Sequence, residues 1–156
     1  MAEINVFICN FNNPEHTKAI PRLMNAYIAD KMGGSTPHNE KEQQLLLKGL
    51  SEHPTAITFL ATVNGEYAGM SNCFVNFGTF AVKQFINIHD VIVLDEYRGL
   101  GVGKKIMDAI VDEARKMDCA KITLEVRSDN PVAQGLYKRY GFDECRPPMH
   151  FWEKKL

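Results

Sequence analysis

The segment with the clearest capacity for chemistry spans residues 91–104, VIVLDEYRGLGVGK. An apolar run ends in a short acidic turn, and three glycines then stand at alternate positions from Gly99 to Gly103. Glycine allows the backbone to approach a ligand closely and to reach positive φ. Because the first N–H groups of a helix attract anions, a glycine loop that opens into a helix suits a phosphate or pyrophosphate. Arg98 and Lys104 add positive charge at its two ends.

Two common phosphate-binding loops do not fit this segment. A Walker A loop, G-x-x-x-x-G-K-[ST], would have to end at Gly103 and Lys104. It would lack its first glycine and its Mg²⁺-binding hydroxyl, because those positions hold Arg98 and Lys105. In the dinucleotide-binding pattern G-x-G-x-x-G, the third glycine would fall on Lys104 or on Ile106. A glycine-rich turn without any ligand remains the simpler alternative.

A third pattern fits without change. Arg98, Gly101 and Gly103 form R-x-x-G-x-G, which resembles the pyrophosphate loop of the Gcn5-related N-acetyltransferases (GNAT). Downstream, LEV at residues 124–126 and N-x-x-A-x-x-L-Y-x-x-x-G-F at residues 130–142 resemble the second half of the same signature. The resemblance is specific over residues 85–142, and before that only the order of elements agrees. It implies acetyl-CoA as co-substrate and direct transfer of its acetyl group to the primary amine of a small molecule.

The resemblance also implies which residues bind the cofactor. In this family the strand before the loop is splayed from its neighbour, and its free backbone groups pair with the pantetheine arm. Asn130 precedes Pro131 and is in addition a natural helix N-cap. The implied cofactor-binding residues are Val91, Ile92, Val93, Arg98, Gly99, Leu100, Gly101, Val102, Gly103, Lys104, Asn130 and Tyr137.

Two side chains are the candidates for proton transfer. Tyr137 matches the family tyrosine that faces the CoA sulfur, where it can protonate the departing thiolate; a core aromatic is its structural alternative. His89 falls where some family members place the base, and an unperturbed imidazole titrates near pH 6.5. Strand alternation puts Asn87 and His89 on one face and Asp90 on the other, which favours His89 over Asp90. A histidine satisfied within the sheet remains open, and Glu125 and Cys73 are weaker candidates.

Two other functions stay open at this point. One is acetylation of a protein lysine or N-terminus, and the other is a non-catalytic acyl-CoA or nucleotide sensor on the same fold. Tyr137 argues against a sensor, which needs no proton donor at a thiolate. We expect no nucleic acid partner and leave a homodimer open.

Composition describes an ordinary globular chain. It has 156 residues, 45% apolar and 24% charged, with a formal net charge of -1, so no long-range field draws it to nucleic acid or to an acidic membrane. The four cysteines show no metal-ligand spacing or disulfide framework, and we expect no metal. With no secretory signal and no apolar run long enough to span a bilayer, we expect a cytoplasmic protein without a membrane partner.

The hydrophobic pattern predicts the elements that position these residues. Their order is β-α-α-β-β-β-α-β-α-β, with the last strand at residues 149–154. Asn13 before Pro14 predicts a helix start, and Pro21 predicts a kink or a start just before it. The resulting fold class is a mixed α/β domain over residues 1–156. By resemblance, its twisted, mostly antiparallel sheet is splayed between the fourth and fifth strands and flanked by about four helices.

Overall fold

A computed structural model describes residues 1–156, which form two compact units, Met1–Glu125 and Val126–Leu156. The single domain over residues 1–156 stays a prediction. The first unit contains β1 (Ile4–Ile8), α1 (Pro14–Ala29), α2 (Glu40–Glu52), β2 (Ala56–Val63), β3 (Glu66–Gly78), β4 (Lys83–Val93), a 3-10 turn (Asp95–Tyr97), α3 (Val102–Lys116) and β5 (Ile122–Leu124). The second unit contains α4 (Pro131–Arg139).

One five-stranded sheet, in the order β1-β2-β3-β4-β5, organises the first unit. The first four strands pair antiparallel, whereas β5 runs parallel to β4. The parallel pair is short: β5 opposes only residues 86–88, and β4 continues to Val93 without it. The predicted mixed sheet, splayed between its fourth and fifth strands, is therefore confirmed.

Local signals account for most element ends. Asn13 caps α1 by accepting a hydrogen bond from the Glu15 N–H, and Pro14 takes the first helical position. The helix runs through Pro21 to Ala29, so the predicted start beside Pro21 is wrong. Proline removes only one backbone donor, and apolar contacts on both sides of it keep the helix intact: Ala19, Ile20, Leu23 and Ile28 are all buried.

The two faces of the sheet carry different helices. Met70 and Ile92 belong to a buried cluster with α1 residues such as Ile20 and Leu23. On the opposite face, α3 lies against Gly69, since a Cβ placed there would contact the Ile106 and Val102 side chains. The helices thus sandwich the sheet, with α1 and α2 on one face and α3 on the other.

A bulge in β4 changes which side chains share a face. Asn72 of β3 pairs with Asp90, but the next residue, Cys73, pairs with Ile88, so His89 is an extra residue. The strict alternation predicted for this strand is therefore wrong. The bulge leaves Asp90 on the α1/α2 face beside Asn87, since their β3 partners, Asn72 and Phe74, share one face.

The predicted last strand at residues 149–154 is also wrong, because residues 143–156 contain neither helix nor strand. Met149, Phe151 and Trp152 have the composition of a strand, but their side chains are largely exposed. A strand exists only where its backbone finds a ladder partner, which the local pattern does not specify.

Two glycine substitutions test how tightly β3 and β4 pack. A Cβ at Gly69 would lie 2.5 Å from the Ile92 carbonyl oxygen, so we expect Gly69→Ala to lower the free energy of unfolding by about 1–3 kcal/mol. A Cβ at Gly49, inside α2, would contact nothing within 4 Å, so Gly49→Ala should raise it by about 0.5–1 kcal/mol. Urea denaturation measures both. Equal changes in the two variants would contradict the close approach at Gly69.

Candidate functional site

The gap beside β4 exposes a row of backbone groups. The Leu94 N–H donates to the Ala68 carbonyl (2.9 Å), so Leu94 and, by alternation, Ile92 turn their polar groups to β3. Val91 and Val93 turn theirs toward the gap where β5 has ended. Of the three residues expected to offer free backbone groups, Ile92 is the exception, because alternation from the Leu94–Ala68 bond directs its N–H and carbonyl to Met70 of β3.

The glycine loop leads from the end of β4 directly into α3. Gly99 and Gly101 have φ of +79° and +92°, values that residues with a Cβ rarely adopt. A Cβ at either position would contact nothing within 4 Å, so open space lies beside both. α3 begins at Val102, whereas the amphipathic pattern of residues 104–117 predicts a start at Lys104. The backbone N–H groups of Val102 and Gly103 therefore belong to the first turn, where no intrahelical acceptor exists.

The side chains of this loop differ in what they can offer a ligand. Val102 is buried and packs in the core, so only its backbone can serve a cofactor. The side chain of Leu100 is half exposed, and Lys104 forms an ion pair with Asp108 at 2.9 Å, one helical turn further on. The N-terminus of α3 thus carries backbone N–H donors beside the solvent-exposed ammonium group of Lys104.

Arg98 links the loop to two other parts of the unit. Its guanidinium contacts the carboxylates of Asp30 (3.0 Å) and Asp95 (2.6 Å), and its Nε donates to the Val93 carbonyl (3.2 Å). Asp30 is the C-cap of α1, and the Met32 N–H together with Arg98 lowers the pKa of its carboxyl group. Arg98 therefore holds the loop against the end of α1 and occupies the carbonyl, but not the N–H, of Val93.

His89 and Asp90, the two candidate proton acceptors, are adjacent in the chain, and the bulge places both on one side of the sheet. His89 is exposed, and its ring stands edge-on to Phe74 at 5.7 Å between centroids. Asp90 is half-buried, and its Oδ2 accepts a hydrogen bond from Asn72 at 2.9 Å. Asn87 donates from its amide nitrogen to the Thr123 hydroxyl of β5 at 3.0 Å.

The two weaker base candidates differ in environment. Burial raises the pKa of the Cys73 thiol to about 12, so this group stays protonated at neutral pH and cannot act as a base. Glu125 is exposed and follows the last residue of β5.

The second unit contains the remaining two candidates. Asn130 caps α4 by accepting a hydrogen bond from the Ala133 N–H at 3.1 Å, as its place before Pro131 predicts. Tyr137 is buried on α4, with its ring edge-on to Phe142 at 6.0 Å. The chain leaves α4 through Gly141, whose φ is +84°.

Sequence reasoning missed the residues that support this site from a distance. Asp30 lies 68 residues before Arg98, and Asn72 lies 18 residues before Asp90. No local spacing signals either pair, because both contacts arise only when the helices and strands pack.

No helix of the chain combines the length and the apolar character that crossing a bilayer would require.

The sequence profile of the acetyltransferase (GNAT) family matches residues 20–142. The chain is 25% identical over 108 residues to the uncharacterized N-acetyltransferase YhfO of Bacillus subtilis, covering 69% of this chain and 72% of that protein. It is 30% identical over 110 residues to an N-alpha-acetyltransferase of Sulfurisphaera tokodaii, covering 66% and 65%. A ribosomal protein bS18 alanine N-acetyltransferase of Escherichia coli is 29% identical over 93 residues, covering 57% and 56%.

Solved structures share the fold. The crystal structure of a probable acetyltransferase superposes with a TM-score of 0.82 at 20% identity, covering 99% of this chain and 98% of that one. An aminoglycoside N-acetyltransferase, AAC(6')-Iy, in complex with CoA gives 0.78 at 14% identity, covering 100% and 97%. The match of the family profile to most of the sequence shows that the chain belongs to the acetyltransferase (GNAT) family and is an acyltransferase.

Proposed function

We propose that this enzyme transfers the acetyl group of acetyl-CoA directly to the primary amine of a small molecule. The observation that carries the proposal is the continuity of two features. Val91 and Val93 present backbone groups where β5 has separated from β4, and the glycine loop follows within the next few residues and opens into α3. An extended thioester ending in a pyrophosphate needs a strand edge and an anion site in this order.

The residues of the first unit fit such a cofactor. Because Gly99 and Gly101 lack a Cβ and border open space, a pyrophosphate could approach the backbone there. The N–H groups of Val102 and Gly103 would bind its oxygens, and the α3 dipole would favour its charge. The Val91 backbone and the Val93 N–H would bind the pantetheine arm as a further strand does. Arg98 and Lys104 would move from their carboxylate partners toward the phosphates.

The chemistry requires two proton transfers. A base first takes a proton from the acceptor ammonium, and the free amine attacks the thioester carbonyl carbon. A C–N bond forms and the C–S bond breaks. The attacking nitrogen then loses its second proton, which balances the proton that the CoA thiolate takes up, and the proton on the base is released to solvent. We assign His89 as the base and Tyr137 as the acid. The exposure of His89 supports its assignment. Asp90 is the weaker choice, because one of its carboxylate oxygens already accepts a hydrogen bond from Asn72.

A second candidate function is acetylation of a protein N-terminus. The names of two relatives, an N-alpha-acetyltransferase and a ribosomal protein alanine N-acetyltransferase, favour it. Two structural relatives that are named as aminoglycoside acetyltransferases favour a small amine instead.

One assay separates these functions. Purified protein is incubated with acetyl-CoA and either a panel of small amines or a short peptide with a free N-terminal alanine, and thiol release is followed. The matched control is the same peptide with a blocked N-terminus. Turnover with small amines supports our proposal, and turnover with the free peptide alone favours the second candidate. Binding of acetyl-CoA without any turnover would instead indicate a sensor.

We expect Gly101→Ala to weaken acetyl-CoA binding at least tenfold, because its Cβ would occupy the space that the pyrophosphate needs. The matched control is Gly65→Ala in the β2–β3 turn. The φ of Gly65, +87°, is similar to that of Gly101, and a Cβ added at Gly65 would also contact nothing within 4 Å. Both alanine variants should therefore have the same backbone strain of about 1–2 kcal/mol. Calorimetric titration measures binding. Equal affinities in the two variants would show that the loop does not hold the cofactor.

Tyr137→Phe should fold and bind acetyl-CoA normally but turn over more slowly. General acid catalysis contributes about 10²–10⁴-fold, and water could replace part of the lost hydroxyl. Single-turnover kinetics with a confirmed amine measures the loss. A full kcat in this variant would return Tyr137 to a packing role.

For His89→Ala, we expect a lower kcat/KM and a changed pH profile. A base must be neutral to accept the proton, so in the wild type kcat/KM should have an acidic limb, along which it rises as the base loses its own proton. Removing the ring should flatten or displace this limb. The control is Asp90→Asn, which can still accept the hydrogen bond from Asn72 and should stay active. An unaltered profile in His89→Ala would exclude this residue from proton transfer.

A further inference from the structure

A chain of buried polar side chains runs beneath the bulge of β4. The Thr58 hydroxyl of β2 donates to the Asn72 amide oxygen at 3.0 Å, and the Asn72 amide nitrogen donates to Asp90 Oδ2 at 2.9 Å. Thr58 and Asn72 are each only 2% exposed. The chain thus crosses three strands and ends at the residue that follows His89.

The chain of polar side chains is flanked by apolar residues. Along β3, Asn72 stands between Met70 and Phe74 on the same side, and Met24 of α1 approaches its amide nitrogen at 4.0 Å through sulfur. Burying an amide costs free energy that its hydrogen bonds only partly return. Apolar side chains in place of both Thr58 and Asn72 could serve the core equally well, so core stability alone does not explain this buried polar pair.

The geometry of the bulge offers an explanation. Asn72 opposes Asp90, and it is between this pair and the next that His89 is inserted. Ser71 donates from its hydroxyl to the Asp90 carbonyl at 2.7 Å, so β3 holds Asp90 by its side chain and by its backbone. The neighbours of this anchored residue are His89, the proposed base, and Val91, the first backbone group at the splayed gap.

We propose that Asn72 is a positioning residue for acetyl transfer: through Asp90 it fixes the bulge that aims His89 and the Val91 backbone at the reacting groups. Thr58 orients the amide so that its nitrogen, and not its oxygen, faces Asp90. This inference rests on the proposed function of the same site. A displacement of about 1 Å in a reacting group can cost on the order of 10²-fold in rate, so a small relaxation of the bulge would be measurable.

The decisive variant is Asn72→Leu, which is similar in volume and suits the apolar face. We expect a folded protein with a lower melting temperature, because the buried Thr58 hydroxyl loses its acceptor and Asp90 loses its donor. The kcat should fall by about 10- to 100-fold. The acetyl-CoA affinity should fall less than kcat, because the Val91 backbone is one of several proposed cofactor contacts. Thr58→Val should lower kcat in the same direction by less. Its matched control is Thr62→Val, the same substitution at a buried position of the same strand, where no contact with Asp90 exists; kcat should be unchanged there.

The outcomes separate this inference from the proposed function. A wild-type kcat in a stable Asn72→Leu variant would overturn the positioning role. If Asn72→Leu does not fold, Thr58→Val decides in its place against Thr62→Val. If the wild type acetylates no amine, the proposed function fails, and the amide NMR signals of residues 88–91 then test the inference. They should shift in Asn72→Leu and Thr58→Val but not in Thr62→Val, and unshifted signals would overturn it.

Discussion

The separation of β5 from β4 is the constraint on which the rest of the site depends. A strand inside a sheet has a neighbouring strand on both sides, and β4 has β5 as its second neighbour only at residues 86–88. Beyond that point, Val91 and Val93 have polar groups on one side with no strand to receive them. Such groups are costly to bury without a partner, and we propose that an extended ligand pairs with them. The remaining features of the first unit either maintain this gap beside β4 or supply charge at its end.

The glycine loop and Arg98 maintain the opening at the end of β4. Two residues at positive φ turn the chain sharply enough for α3 to start at once, so its first N–H groups lie next to the strand end. Arg98 then ties the turn to Asp30 at the end of α1 and to the Val93 carbonyl. Because Arg98 is more than half exposed, these ion pairs contribute little to stability, and we propose that a phosphate of the cofactor displaces them.

The bulge at His89 illustrates how the fold accepts a local cost for the sake of geometry. A regular β4 would leave His89 and Asp90 on opposite faces of the sheet. The inserted residue shifts the register, and a buried asparagine among apolar side chains holds the carboxylate beside it. Core packing alone would favour an apolar side chain at this position. We therefore assign the chain of polar side chains to the proposed site and not to the core.

The sequence determined the features that depend on near neighbours along the chain. Asn13, Asn39 and Asn130 cap helices, Asn64-Gly65 turns a hairpin, and the alternate glycines lead into a helix, because caps and turns use groups within a few residues. The loop pattern that resembles the GNAT family could be recognised because its residues are close together in sequence. The mixed, splayed sheet was predicted from that resemblance. Only the tertiary structure decided the bulge in β4, the Arg98–Asp30 contact, the chain from Thr58 to Asp90 and the absence of a strand at residues 149–154. Each of these depends on partners that are distant in sequence. A local sequence pattern does not specify which distant backbone group or side chain will form the contact.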